Sequence, residues 1–267
     1  MDGDPLDSSH GSLSAHVFPV ESVTLLEALL LLAAGAVAGF INALAGGGSA
    51  ITIPILTEMV GISTANGTNR IAIFLANLTA IAGYQKGEAI SWKRLSVLLI
   101  PTVVGAAAGA WLSTVTPPDV LRKVFAGVLL LVAASVLLRP SRWLEEREAA
   151  LHEPWRSLVF LGIGFYGGFV QAGVGFLLLA GLVLGAGMNL VKGNAAKVVL
   201  IAAYSPIAIL LFARASQVDL AIGGVLAAGQ MSGAWVGSRL AVLKGAAWIR
   251  WVLVVAAVIA AARLAFA

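Results

Sequence analysis

The stretch Gly39-Phe40-Ile41-Asn42-Ala43-Leu44-Ala45-Gly46-Gly47-Gly48-Ser49 places three consecutive glycines inside an apolar run. Such a run breaks a helix and frees backbone N–H and C=O groups. In hydrocarbon that is tolerated only where protein or a water-filled cavity takes up the freed hydrogen bonds. The segment from Ala50 onward can then aim its N-terminal N–H groups at an anion. A second stretch, Gly168-Phe169-Val170-Gln171-Ala172-Gly173-Val174-Gly175, repeats the design, with Asn42 and Gln171 as the amide-bearing members.

The surrounding composition makes a membrane the solvent. Of 267 residues, 60% are hydrophobic and 11% charged, with 30 glycines. Soluble domains carry about 25% charged residues. No cysteine is present, which excludes disulfides, thiolate metal sites and a catalytic Cys. His10, His16 and His152 fall in a tail or a loop, so no Ser–His or His–metal arrangement is available within the membrane. Glu27 and Glu58 are the carboxylates within apolar segments, both near ends, which leaves little for a carboxylate proton relay. No GxxxxGK[ST] loop occurs. An enzyme is not expected, nor a metal or cofactor. The basic residues form no cluster and no aromatic-interleaved patch, so nucleic acid is not an expected partner.

Residues 1–22 carry four acidic residues and no Lys or Arg, and read as a disordered tail without the positive start of a signal peptide. Beyond it, apolar segments fall at 23–43, 50–60, 68–85, 95–114 and 121–138. A polar linker at 139–156 follows, then segments at 157–173, 176–187, 195–213, 220–240 and 248–266. About 20 residues are needed for a full span, so 50–60 and 176–187 are short for one and read as candidate half-helices, with 23–60 open as two spans or a re-entrant hairpin.

The halves 23–138 and 157–267 look like copies. Gly35, Gly39 and Phe40 fall opposite Gly164, Gly168 and Phe169; Gly46 and Gly48 opposite Gly173 and Gly175; Gly61 and Gly67 opposite Gly187 and Gly193. Gly105, Gly109 and Arg122 match Gly233, Gly237 and Arg250. With the acidic tail outside and an odd number of crossings per half, most Lys and Arg lie in cytoplasmic loops, as the positive-inside tendency asks. The expected fold is an all-α integral membrane protein of two inverted-topology repeats. Each has about five segments, with Gly-broken or half-length helices near the midplane, a common transporter architecture.

A second pair of motifs opens the third segment of each half. Asn66-Gly67-Thr68-Asn69-Arg70 lies opposite Lys192-Gly193-Asn194-Ala195-Ala196-Lys197. A cation at a helix start is unfavourable with the helix dipole, so Arg70 and Lys197 there ask for an anionic partner. The GxxxG spacings Gly35/Gly39, Gly105/Gly109, Gly164/Gly168 and Gly233/Gly237 read as close helix packing. Asn77 and Gln230, polar within apolar segments, read as interhelical hydrogen bonds or path lining.

Gly39 through Gly48, then Pro54, then Gly67-Thr68-Asn69-Arg70, resembles the first half of the TauE/SafE sulfite-exporter family (the TSUP transporters). Gly173/Gly175, Lys197 and Ser205-Pro206 are similar to its second half, and the likeness covers residues 25–266. The resemblance implies a multi-pass bacterial inner-membrane carrier of small sulfur-containing anions such as sulfite or organosulfonates. It carries over Asn42, Gly46–Gly48, Thr68, Asn69, Arg70 and Lys197. The expected site holds a small oxyanion between the repeats on backbone N–H groups at Gly46, Gly47, Gly48 and Ser49 and at Gly173 and Gly175. Asn42, Thr68, Asn69, Gln171 and Asn194 supply hydrogen bonds, Arg70 and Lys197 set the sign of the field, and one repeat rocks against the other. An anion channel, or a carrier of another small organic anion, is the alternative. The bilayer and the anion are the expected partners, with the N-terminus outside.

Overall fold

The computed structural model describes residues 24–85, 89–90, 92–121, 123–124 and 150–265. The expected tail at 1–22, nearly all of the segment at 121–138, and 139–149 of the linker lie outside the described residues. Among the described residues every regular element is helical: α1 (Leu25–Leu44), α2 (Ser49–Gln85), α3 (Trp92–Val115), α4 (Trp155–Phe169), α5 (Val174–Ala180), α6 (Leu190–Arg214) and α7 (Leu220–Ala265). A π-helical turn, Gly181–Gly185, continues α5. The all-helical membrane architecture read from the sequence is the one observed. Leu25–Leu44, Leu95–Val115, Leu190–Arg214 and Leu220–Ile249 are each long and apolar enough to cross a bilayer.

Local chemistry sets the helix ends. Thr24 caps α1 and the Glu27 carboxylate reaches back to the Thr24 N–H at 2.9 Å, a reciprocal capping box. Asn189 caps α6, its side-chain oxygen accepting from the Lys192 N–H at 2.9 Å. Two of the long helices are interrupted by glycines in non-helical conformations, α2 at Gly61 (φ 74°, ψ 159°) and α7 at Gly245 (φ 74°, ψ −173°). Residues 49–60, ahead of the Gly61 break, and 174–185, α5 with its π-helical turn, are each only about 18 Å long at 1.5 Å per residue, too short for about 30 Å of hydrocarbon. Several boundaries differ from the sequence reading. The third segment of each half starts at 62 and 190 rather than 68 and 195, the sixth ends at 169 rather than 173, and the linker stops before Trp155. Polar first turns hid the two early starts, because Asn66, Asn69 and Asn194 are buried between helices rather than placed in loops.

Packing between the halves is reciprocal. α1 lies against α7 and α3 against α4, each through glycines that leave no room for a side chain. A Cβ on Gly233 would strike the Ala36 carbonyl and come within 2.8 Å of the Phe40 nitrogen; one on Gly105 would strike Leu161 and come within 2.8 Å of the Phe165 nitrogen. Gly237 faces Phe40 as Gly109 faces Phe165, and Gly39 meets Gln230 as Gly164 meets Thr102. The spatial counterpart of Gly39 is thus Gly164, and that of Phe40 is Phe165. The sequence alignment of Gly35/Gly39/Phe40 with Gly164/Gly168/Phe169 is one helical turn out. A slip of four residues keeps small residues on one face of a GxxxG helix, so the pattern looks the same in either register.

Candidate functional site

Two helix hairpins, α1 with residues 49–60 and α4 with residues 174–185, turn over in the same way. After α1, the N–H groups of Ala45 and Gly46 return to the Ile41 carbonyl at 2.7 and 3.2 Å; after α4, those of Val170 and Gln171 return to the Tyr166 carbonyl at 3.0 and 3.5 Å. Gly46 (φ 87°) and Gln171 (φ 65°) take the left-handed conformation at equivalent places. For Gln171 that conformation is uncommon, since it carries a Cβ. Gln171 is therefore the counterpart of Gly46, not of Asn42. The two turns touch: a Cβ on Gly46 would collide with the backbone of Gly175, and one on Gly175 with the backbone of Gly46. Gly47 lies under the Phe176 ring, and a Cβ on Gly48 would meet the Asn42 side chain at 3.0 Å. At the start of α2 the N–H groups of Ala50, Ile51 and Thr52 return to the carbonyls of Gly47 and Gly48 at 3.0, 3.0 and 3.3 Å, after the buried Ser49.

Each hairpin's first helix is capped by a cation from the opposite half. The Lys197 ammonium donates to the carbonyls of Asn42 (2.7 Å) and Ala43 (3.4 Å) and to the Asn194 Oδ1 (2.6 Å). The Asn194 Nδ2 in turn donates to the Leu44 carbonyl at 2.8 Å. In the other half, Arg70 donates through Nη1 to the Gly167 carbonyl (3.2 Å) and through Nη2 to the Gly168 carbonyl and the Asn66 Oδ1 (3.3 Å). Asn66 Nδ2 reaches the Phe169 carbonyl (2.9 Å) and the Ser113 hydroxyl (3.2 Å). The Phe212 ring lies 4.5 Å from the Arg70 guanidinium. In both pairs amide and cation are one turn apart and share a helix face.

This corrects the placement of the cations. Neither sits at a helix start: Arg70 lies well inside the second part of α2 and Lys197 well inside α6. What each meets is the C-terminus of α4 or α1, where about half a negative charge gathers on the last carbonyls. All three hydrogens of the Lys197 ammonium have acceptors, whereas Arg70 Nε has none. The Tyr204 hydroxyl, also without a partner, lies near the same end of α4, 3.0 Å from where a Cβ on Gly167 would be. Both cations are fully buried, and among the described residues no Asp or Glu is.

Asn69 belongs to a separate cluster. Its Oδ1 accepts from the Thr52 hydroxyl at 2.8 Å and from the Gln230 Nε2 at 3.3 Å, joining both parts of α2 to α7. Asn69 Nδ2 and Gln230 Oε1 are left without partners, as are both amide atoms of the buried Gln171. Thr68 points elsewhere, accepting from the Asp219 N–H at 2.9 Å, while Asp219 Oδ1 caps α7 through the Ile222 N–H. Sequence reading passed over Thr52, Ser113 and Tyr204. Asn66 was visible as the residue one turn before Arg70; Thr52 gave no signal, because a threonine in an apolar helix ordinarily bonds its own backbone. A void of about 10 Å³, bounded by Ile53, Ile62, Asn66, Leu121 and Val170, opens beside Asn66. It has room for about one water, and none for an oxyanion.

Comparison with known proteins shows the family. The family model described as "Sulfite exporter TauE/SafE" matches residues 31–264. The chain is 32% identical over 232 residues to the Probable membrane transporter protein YfcA of Escherichia coli (strain K12), covering 86% of each chain. It is 31% identical over 237 residues to the Probable membrane transporter protein ORF9 of a Sinorhizobium species, covering 88% of this chain and 90% of the relative. A Probable membrane transporter protein of Haemophilus influenzae is 29% identical over 240 residues, at 89% and 94% coverage. No solved structure matches the chain. With glycine-broken helices, buried cations and a match over nearly all of its membrane region, the chain belongs to the TauE/SafE family of membrane transporters.

Proposed function

We propose that the protein is a secondary carrier of small sulfur-containing oxyanions, sulfite foremost, in the bacterial inner membrane. The carrying observation is the charge balance of the interior. Two fully buried cations face no buried carboxylate among the described residues, and each is only about half offset by a helix C-terminus. A small anion completes that balance, since an uncompensated charge in a membrane interior is costly. Arg70 Nε and Tyr204 OH, both unpartnered at the end of α4, are donors open to it. N–H groups at Gly47, Gly48 and Ser49 present a further positive edge. Lys197, with its hydrogens already engaged, contributes field and holds α1.

The reciprocal contacts of α1 with α7 and of α4 with α3 support two inverted repeats, one hairpin entering from each side and the turns meeting at Gly46 and Gly175. Rocking one repeat against the other then exposes the site alternately. Counterflow in proteoliposomes tests the proposal. Vesicles preloaded with sulfite are expected to take up labelled sulfite saturably, and Arg70→Met is expected to abolish the uptake. Flux that neither saturates nor shows counterflow would identify a channel instead.

A further inference from the structure

The Thr52–Asn69–Gln230 cluster has a hydrogen-bond balance that discriminates among oxyanions. Asn69 is fully buried and Gln230 is 1% exposed. Within the cluster the Asn69 oxygen takes both the Thr52 hydroxyl and the Gln230 Nε2. One amide nitrogen, Asn69 Nδ2, and one amide oxygen, Gln230 Oε1, remain without partners. Turning both amides over leaves the same remainder, one NH₂ donor and one C=O acceptor, because each amide carries one of each. The cluster therefore offers a donor beside an acceptor and no charge.

Its position places it on the same helix as Arg70, one residue away along the chain. Thr52 lies one turn past Gly48 at the start of α2, Asn69 immediately precedes Arg70, and Gln230 packs against Gly39 of α1, one turn before Asn42. Consecutive Cα atoms are about 3.8 Å apart, so a ligand held by Asn69 lies within the field of Arg70.

We propose that Asn69 and Gln230 select the protonated monoanion, an oxyanion that keeps one O–H, over anions that present acceptors only. This rests on the anion-carrier reading above and narrows it: among sulfur anions the species held is hydrogensulfite rather than the sulfite dianion or a sulfonate. The ligand's O–H donates to Gln230 Oε1 and one of its oxygens accepts from Asn69 Nδ2. A fully deprotonated anion pairs with the donor but turns lone pairs toward the Gln230 oxygen, leaving that buried acceptor unpaired.

The test uses the full-length protein in proteoliposomes and two monoanions of nearly equal size. Methylphosphonate, at a pH where it keeps one proton, has an O–H; methanesulfonate has none. Methylphosphonate is expected to inhibit labelled-sulfite counterflow at lower concentration than methanesulfonate, by about tenfold or more for one unpaired buried acceptor. In Gln230→Met, which removes the acceptor at similar volume, the ratio is expected to fall toward one. Equal inhibition by the two anions in the unaltered protein, or an unchanged ratio in a folded Gln230→Met, overturns the proposal while leaving the carrier reading intact. Absence of sulfite counterflow in the unaltered protein overturns both. The comparison in the unaltered protein decides the matter even where the variant does not fold.

Discussion

Gly46 and Gly175 lie backbone against backbone at the point where the two helix hairpins meet. The contact pins the turn after α1 to the first turn of α5, main chain against main chain, with the Phe176 ring over Gly47 beside it.

Gly175→Ala isolates this contact, because Gly175 is helical and its backbone accepts a Cβ without strain. The added methyl would overlap the Gly46 backbone. Thermal unfolding of the purified protein in detergent is expected to show a loss of about 1–3 kcal/mol or more. Gly162→Ala, whose Cβ meets nothing within 4 Å, serves as the control. It is expected to be neutral or stabilising by up to about 1 kcal/mol.

Arg70→Lys keeps the charge and loses the planar fork that bonds Gly167, Gly168 and Asn66 together. Counterflow is expected to fall about tenfold or more, with folding retained. Arg70→Met is expected to remove it altogether. Full flux in Arg70→Met would remove Arg70 from the site.

Lys197→Met leaves the Asn42 carbonyl at the end of α1 and the Asn194 Oδ1 without their donor, while the Ala43 carbonyl keeps the Tyr84 hydroxyl at 2.9 Å. Each orphaned buried acceptor costs about 1–3 kcal/mol, so the melting temperature is expected to drop clearly. Asn194→Ala frees the Leu44 carbonyl and takes one acceptor from Lys197, and is expected to lower it less. A Lys197→Met protein as stable as the unaltered one would contradict the capping role.

Topology is open to direct labelling because the chain has no native cysteine. His152 and Ser216 are both exposed. An impermeant thiol reagent is expected to reach His152→Cys from the cytoplasmic side and Ser216→Cys from the outer side. Labelling of both from one side would refute the charge-based parity.

The helix breaks were legible because glycine runs and amides are expensive in hydrocarbon, so Gly46–Gly48 and Gly173 could hardly be incidental. The short helices at 49–60 and 174–185 followed from counting apolar residues between polar ends. The register between halves was not legible. Gly35, Gly39 and Ala43 present small residues at every turn, and nothing along one helix says which of them meets Gln230.

Sequence by itself determined the solvent, the helical class, the glycine breaks and the polar residues that had to be accounted for. Tertiary structure decided what those residues face. Lys197 was marked as a buried cation by its neighbours in the chain, yet its acceptors, Asn42 and Ala43, lie in the other half. Periodicity reports which face of a helix is polar. Only the crossing of helices far apart in sequence fixes which carbonyl, amide or glycine lies opposite, because each side-chain hydrogen bond closes over a few ångströms in space, at any separation along the chain.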